Sequence, residues 1–197
     1  SSGLGFYLAN KFLSSKNNIV IGCSRRSSKI KNKRYKHYRL DLENLKNIMG
    51  MMNNISKKYK KIDVLINNAG YINSFYPLLL MNEKDILKIA KINLVSVQIL
   101  TKEVVKLMMQ SKHGRIINVG SISSKLLNGG DTIYSSSKLG LIGFTKSLSK
   151  EIFSYGITCN CICPTILNTD KKNLISSKIQ KEIINLGAIK KTNTNLE

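Results

Sequence analysis

Tyr134 and Lys138 stand four residues apart in Tyr134-Ser135-Ser136-Ser137-Lys138. On a helix that spacing puts a phenol and an ammonium on one face, about one turn apart, where both can approach the same ligand. A free phenol ionises near pH ~10 and is a poor acid at neutrality; a neighbouring ammonium favours the phenolate and lowers that pKa. A tyrosine tuned in this way can protonate a carbonyl oxygen as general acid. Ser121 stands thirteen residues upstream. In a chain this rich in Lys and Tyr the Tyr-x-x-x-Lys spacing arises readily by chance, so the surrounding elements must decide.

Those elements alternate. Gly114-Arg115-Ile116-Ile117-Asn118-Val119-Gly120-Ser121 reads as a turn, a buried strand and a Ser at its carboxyl end, and Asp63–Gly70 repeats the pattern one unit earlier. Ser1-Ser2-Gly3-Leu4-Gly5 runs into an amphipathic helix, a Gly-rich entry that presents backbone N–H groups and a positive dipole end to a pyrophosphate. Helices are expected at Gly3–Ser15, Glu43–Lys57, Glu83–Met109, Thr132–Phe153 and near Lys172–Ile184. Strands are expected at Ile19–Cys23, Val64–Ile66, Ile116–Val119 and Ile157–Ile162. Such alternation implies an α/β fold, a doubly wound parallel sheet with helices on both faces and ligands at the strands' carboxyl ends. Gly70, Ser121 and Pro164 fall there.

With these motifs in place, the chain resembles the short-chain dehydrogenase/reductase family, and within it the 3-oxoacyl-[acyl-carrier-protein] reductases, over nearly every residue from Ser1 to Asp170. Gly3 and Gly5 match the last part of the family's T-G-x-x-x-G-x-G, and Asn67-Asn68-Ala69-Gly70 its N-N-A-G. Ser121, Tyr134 and Lys138 match the catalytic triad, and Asn93 the fourth catalytic residue. The resemblance implies that Ser121 steadies the oxyanion, Tyr134 gives the proton, Lys138 holds the nicotinamide ribose, and Asn93 anchors a water leading to Lys138. It further implies cofactor contacts at Gly3, Leu4, Gly5, Asp41, Leu42, Asn68, Ala69, Gly70, Pro164, Leu167 and Thr169. Residues 1–197 are expected to form one Rossmann-like domain lacking the family's first and last strands, a fragment poorly stable and inactive when expressed alone. Residues Asn173–Leu186 are expected to form a substrate lid. Thr165 stands where the family usually has Gly; Lys112 matches one of the basic places beside the mouth that meet the carrier protein, and Tyr155 stands where a second, an Arg, is common.

After the second strand of such folds an acid would bind the ribose 2′-OH of NAD, whereas Arg accommodates the 2′-phosphate of NADP. Here the sequence is Cys23-Ser24-Arg25-Arg26. Ser24 and Arg25 are therefore expected to grip a 2′-phosphate, which selects NADPH.

The net charge of +21, from 32 basic and 11 acidic residues, invites a nucleic-acid reading. A binding footprint should concentrate in a patch with Arg and interleaved aromatics; Lys outnumbers Arg 27 to 5 here and is scattered, so no nucleic-acid partner is expected. The densest basic run, residues 29–39, reads as a solvated loop and short helix. His37 and His113 read as solvated loop positions. The length of 197 residues and 42% hydrophobic content suit one globular domain, and no apolar run is long enough to cross a bilayer. Cys159, Cys161 and Cys163 alternate, facing one side of a strand. Their spacing does not suit structural zinc, so no metal is expected; they read as core residues of a protein in a reducing intracellular compartment, cytoplasm or mitochondrial matrix. The Met49–Met52 and Met108-Met109 clusters read as helix packing.

Three functions follow: NADPH-dependent reduction of a 3-oxoacyl thioester on acyl-carrier protein in fatty-acid synthesis; a general short-chain carbonyl or alcohol oxidoreductase; or a non-catalytic cofactor-binding subunit. The resemblance also implies a homotetramer.

Overall fold

The computed structural model describes residues 2–73 and 76–165, which fall into two compact units, residues 2–41 with Thr165, and Leu42–Pro164. In the first unit, α1 (Gly3–Ser14) leads to β1 (Val20–Ser24), which pairs in parallel with β2 (Tyr35–Arg39), Val20 opposite Tyr35 and Ser24 opposite Arg39. The second strand corrects the expected loop and short helix. Beneath the lysines, Tyr35, His37 and Tyr38 are half-buried, and the His37 ring meets Tyr35 Oη at 3.0 Å and Ser24 Oγ at 3.2 Å. Arg34, from the same basic run, is not simply solvated charge. Its guanidinium donates to the carbonyls of Leu13 (2.8 Å), Asn18 (3.1 Å) and Ser15. A cation at the orphan carbonyls of a helix C-terminus satisfies both hydrogen bonding and the helix dipole.

The second unit begins with α2 (Leu45–Lys58), capped by Asn44, whose side chain accepts from the Lys46 N–H at 3.1 Å. Its apolar residues recur as Ile48, Met51, Met52 and Ile55, all buried, at the spacing that forms one helical face; burial of each such side chain contributes about 1.5–3 kcal/mol. β3 (Val64–Asn67) follows. The expected long helix is three pieces: α3 (Glu83–Ala90), a π-helical turn at Lys91–Val95, and α4 (Ser96–Ser111). Asn82 caps α3, its Oδ1 accepting from the Asp85 N–H at 2.8 Å, with Glu83 and Asp85 complementing the helix dipole. α4 packs on α2 and buries Val97, Val104, Leu107 and Met108.

β4 (Gly114–Val119), a short α5 (Ser123–Leu126), the 21-residue α6 (Thr132–Ile152) and β5 (Ile157–Ile162) complete the unit. The sheet order is β3-β4-β5, all parallel, with Asn67 opposite Asn118 and Asn118 opposite Cys161. Parallel strands require helical crossovers, which α3, α4 and α6 supply. α6 ends in a 3-10 turn closed by Gly156, whose φ of 70° is a left-handed conformation that glycine adopts at little cost. The helix expected near Lys172–Ile184, and the lid, lie outside the described residues.

Candidate active site

Ser121, Tyr134, Lys138 and Asn93 come from three separate elements of the second unit. Strand β4 delivers Ser121: the Gly120 N–H donates to the Ile162 carbonyl (2.7 Å) and the Ile122 N–H to the Pro164 carbonyl (3.1 Å), so the chain leaving β4 is tied to the chain leaving β5. Ser121 Oγ accepts from the Ser123 N–H at 3.2 Å and hydrogen-bonds the Tyr134 phenol. Tyr134 lies in the first turn of α6. That turn is fixed by Ser135, whose N–H donates to the Asp131 carbonyl at 2.7 Å and whose hydroxyl donates to the Asp131 carboxylate.

Lys138 follows one turn later, only 4% exposed. Its ammonium donates to the Val119 carbonyl at 2.8 Å and stands 5.8 Å from the centroid of the Tyr134 ring. A buried charge requires polar partners, and a strand-end carbonyl is one. Gly70 lies beside this ammonium: a Cβ there would be in ordinary contact with Lys138 Nζ at 3.5 Å and Asn93 Oδ1 at 3.7 Å.

Asn93 is fully buried in the π-helical turn, a helix irregularity often found at functional sites. Its Oδ1 accepts from the Tyr71 N–H (2.7 Å), and its Nδ2 donates to the Tyr71 carbonyl (2.8 Å) and Ser137 Oγ (3.1 Å). The side chain thus clamps the loop after Gly70 to α6.

Burial pushes the Tyr134 phenol above its ordinary pKa; the Ser121 hydrogen bond pulls it down, and the Asp131 carboxylate pushes it up. This direction is opposite to that expected from a neighbouring lysine. Withdrawal from water outweighs the stabilisation of the phenolate, so Tyr134 stays a protonated donor at neutral pH. A shallow depression lies over it, lined in part by Ile72, Met81, Gly130, Asp131 and Ile133.

Asn68, Ala69 and Gly70 follow the carboxyl end of β3, and Pro164 follows that of β5. Leu42 opens the second unit. In the first unit, Gly3, Leu4 and Gly5 form the first turn of α1, Ser24 ends β1, Arg25 is exposed beyond it, and Asp41 closes the unit. The N-cap residue of α1, Ser2, makes no side-chain capping hydrogen bond. Ser24 Oγ donates to the Arg26 carbonyl at 2.6 Å, and Arg39 Nε to the Arg25 carbonyl at 3.2 Å. Leu167 and Thr169 lie outside the described residues.

The sequence reading missed a buried polar ladder beneath the site. Asn67 Nδ2 donates to Thr101 Oγ1 (2.9 Å) and Asn118 Oδ1 (2.8 Å), and Asn118 Nδ2 donates to Thr145 Oγ1 (2.8 Å). It joins β3, β4, α4 and α6. The signal was an Asn near the end of two strands one crossover apart. Asp131 was missed as well.

A family model described as short chain dehydrogenase matches residues 1–180. The chain is 37% identical over 182 residues to the 3-oxoacyl-[acyl-carrier-protein] reductase FabG of Buchnera aphidicola subsp. Baizongia pistaciae, covering 89% of this chain and 74% of that protein. It is 40% identical over 190 residues to the protein of the same name from Buchnera aphidicola subsp. Schizaphis graminum, covering 93% and 77%. Among solved structures, ElxO with NADP bound superposes with a TM-score of 0.86 at 27% identity, over 99% of this chain and 83% of that one.

Proposed function

The chain belongs to the short chain dehydrogenase family, and on that premise we propose that it is an NADPH-dependent 3-oxoacyl-[acyl-carrier-protein] reductase of fatty-acid synthesis. The observation that carries the proposal is the buried Lys138 ammonium, held on the Val119 carbonyl at 2.8 Å and 5.8 Å from the centroid of the Tyr134 ring. The names of the similar reductases supply the substrate class.

The residues fit a nicotinamide cofactor. The first turn of α1 offers N–H groups to a pyrophosphate, and Arg25 is exposed where a 2′-phosphate would be read. Bound NADPH supplies the hydride for carbonyl reduction. Ser121 donates a hydrogen bond to the carbonyl oxygen and steadies the negative charge that develops there. Tyr134, kept protonated by burial, gives that oxygen its proton. Lys138 stabilises the resulting phenolate and orients the ribose. Asn93 fixes the loop after Gly70 against α6. Gly3, Leu4, Gly5, Ser24, Asp41, Leu42, Asn68, Ala69, Pro164, Leu167 and Thr169 complete the proposed cofactor contacts, within one domain spanning 1–197.

The proposal extends to an intracellular homotetramer acting on acidic acyl-carrier protein, with exposed Lys112 at the mouth. Among the described residues no helix is long and apolar enough to cross a membrane. Oxidation of NADPH with acetoacetyl thioester and with a simple ketone of equal size tests the substrate class. Faster turnover of the thioester is expected; equal rates would favour the general carbonyl reductase, and cofactor binding without consumption a non-catalytic subunit.

A further inference from the structure

Cys161 and Cys163 differ from the core thiol that their spacing with Cys159 suggests. Cys159 is buried, with Asn118 Nδ2 donating toward its sulfur at 3.7 Å, whereas Cys161 is half-buried and Cys163 exposed. The two outer sulfurs converge on Gly120. The position a Cβ would take there lies 2.8 Å from Cys163 Sγ and 3.0 Å from Cys161 Sγ. Glycine at 120 therefore leaves the hollow into which both thiols point. The Ser124 hydroxyl stands 3.9 Å from Cys163 Sγ, and burial, which outweighs the opposing charge of the Lys138 ammonium, pushes the Cys161 thiol up to about 11, so it is a protonated thiol at neutral pH.

We propose that Cys161 and Cys163 form a two-thiol binding site for a trivalent arsenical, at the carboxyl end of β5 beside Lys138. Three arguments select this ligand class. A tetrahedral zinc site draws four ligands, and among the described residues no group of three His, Cys, Asp or Glu gathers to hold a metal. A disulfide is poorly served: residues two apart on extended chain have Cα atoms roughly 6.6 Å apart, at the far limit of the about 4.4–6.8 Å that the bond tolerates. An arsenic atom between the sulfurs lengthens the bridge by one atom and one bond and relieves that constraint. Soft thiolate ligands, finally, favour soft acceptors.

The chemistry needs no oxidant. An organic arsenoxide carries one arsenic–oxygen double bond; each thiol adds a sulfur–arsenic bond, the arsenic–oxygen bond breaks, and the oxygen leaves as water with both thiol protons. Arsenic remains trivalent. The exposed Cys163 thiol attacks first, and Cys161 closes the ring. This binding stands apart from the reductase reading and is read without turnover.

The test is phenylarsine oxide added to the protein, followed by intact mass measurement and thiol counting. One adduct per chain is expected, with two of the four cysteines protected, resistant to excess monothiol and released by dithiothreitol. Cys161→Ser and Cys163→Ser should each abolish the monothiol-resistant adduct, and Cys159→Ala should keep it. Retention in either serine variant, release by monothiol, or no adduct would overturn the proposal. If a variant does not fold, fragmentation of the wild-type adduct decides: arsenic bridging Cys161 and Cys163 supports the site, and arsenic elsewhere refutes it.

Discussion

Replacing Asn118 by Ala should destabilise the protein well beyond the average point substitution. Asn118 is fully buried and takes part in two strong contacts of the ladder, accepting from Asn67 Nδ2 and donating to Thr145 Oγ1, each at 2.8 Å. Truncation leaves one Asn67 N–H buried without an acceptor, since its other N–H is already used by Thr101. An orphaned buried donor costs roughly 1–3 kcal/mol. The Thr145 hydroxyl loses less, because it still donates to the Leu141 carbonyl at 2.7 Å. Adding the space left by the amide gives an expected loss of about 2–4 kcal/mol. Urea unfolding measures it, as a lower midpoint at unchanged slope. Ser136→Ala serves as control: its hydroxyl is exposed and donates to the Ile133 carbonyl of its own helix, so a change within about 0.5 kcal/mol is expected. A double-mutant cycle with Thr145→Ala should show a coupling of at least ~0.5 kcal/mol. If Asn118→Ala behaves like the control, or the cycle is additive, the ladder does not hold β4 to α6 and the reasoning fails.

Two other perturbations have a defined sign. Gly156→Ala places a Cβ 2.6 Å from the Lys112 carbonyl oxygen in a residue at φ 70°, so a loss of at least ~1–2 kcal/mol, about 2–8 °C in melting temperature, is expected; an unchanged melting curve would contradict it. Burial pushes the thiols of Cys23 and Cys159 up from 9.0 to about 11. Unfolded, they ionise near 9.0; folded, they hold their protons to about 11, so the folded state binds more protons across that window and stability falls as pH rises through it. Urea midpoints should drop over this range, and less in Cys159→Ala; a flat profile would refute the assignment.

Much of the fold was legible because periodicity survives the lysine-rich composition. Apolar spacing marked α2, and the continuous apolar run marked β4. β2 was hidden because charged side chains alternate with Tyr35, His37 and Tyr38, and only pairing with β1 makes them a strand. The π-helical turn left no trace either, since Lys91–Val95 has the composition of an ordinary helix. For the candidate site, the four-residue spacing anticipated that Tyr134 and Lys138 share a face of α6, where the ammonium stands 5.8 Å from the centroid of the Tyr134 ring. It misjudged the Tyr134 pKa, because burial depends on what packs over α6 and not on which residues occupy it. It likewise took Cys161 and Cys163 as core, since alternation gives the face but not the exposure at a strand's end.

The measurement that bears most directly on the proposed reductase is Tyr134→Phe in protein made from its natural coding sequence, with NADPH binding followed by fluorescence and turnover by NADPH oxidation with acetoacetyl thioester. The substitution removes one hydroxyl, the proposed proton donor, and leaves the ring beside Lys138. NADPH should bind to both proteins, while turnover falls by roughly 10²–10⁴-fold in the variant, the usual contribution of a positioned general acid. Turnover equal to that of the unmodified protein would contradict the assignment of Tyr134, and NADPH binding without consumption by either protein would contradict the reductase itself.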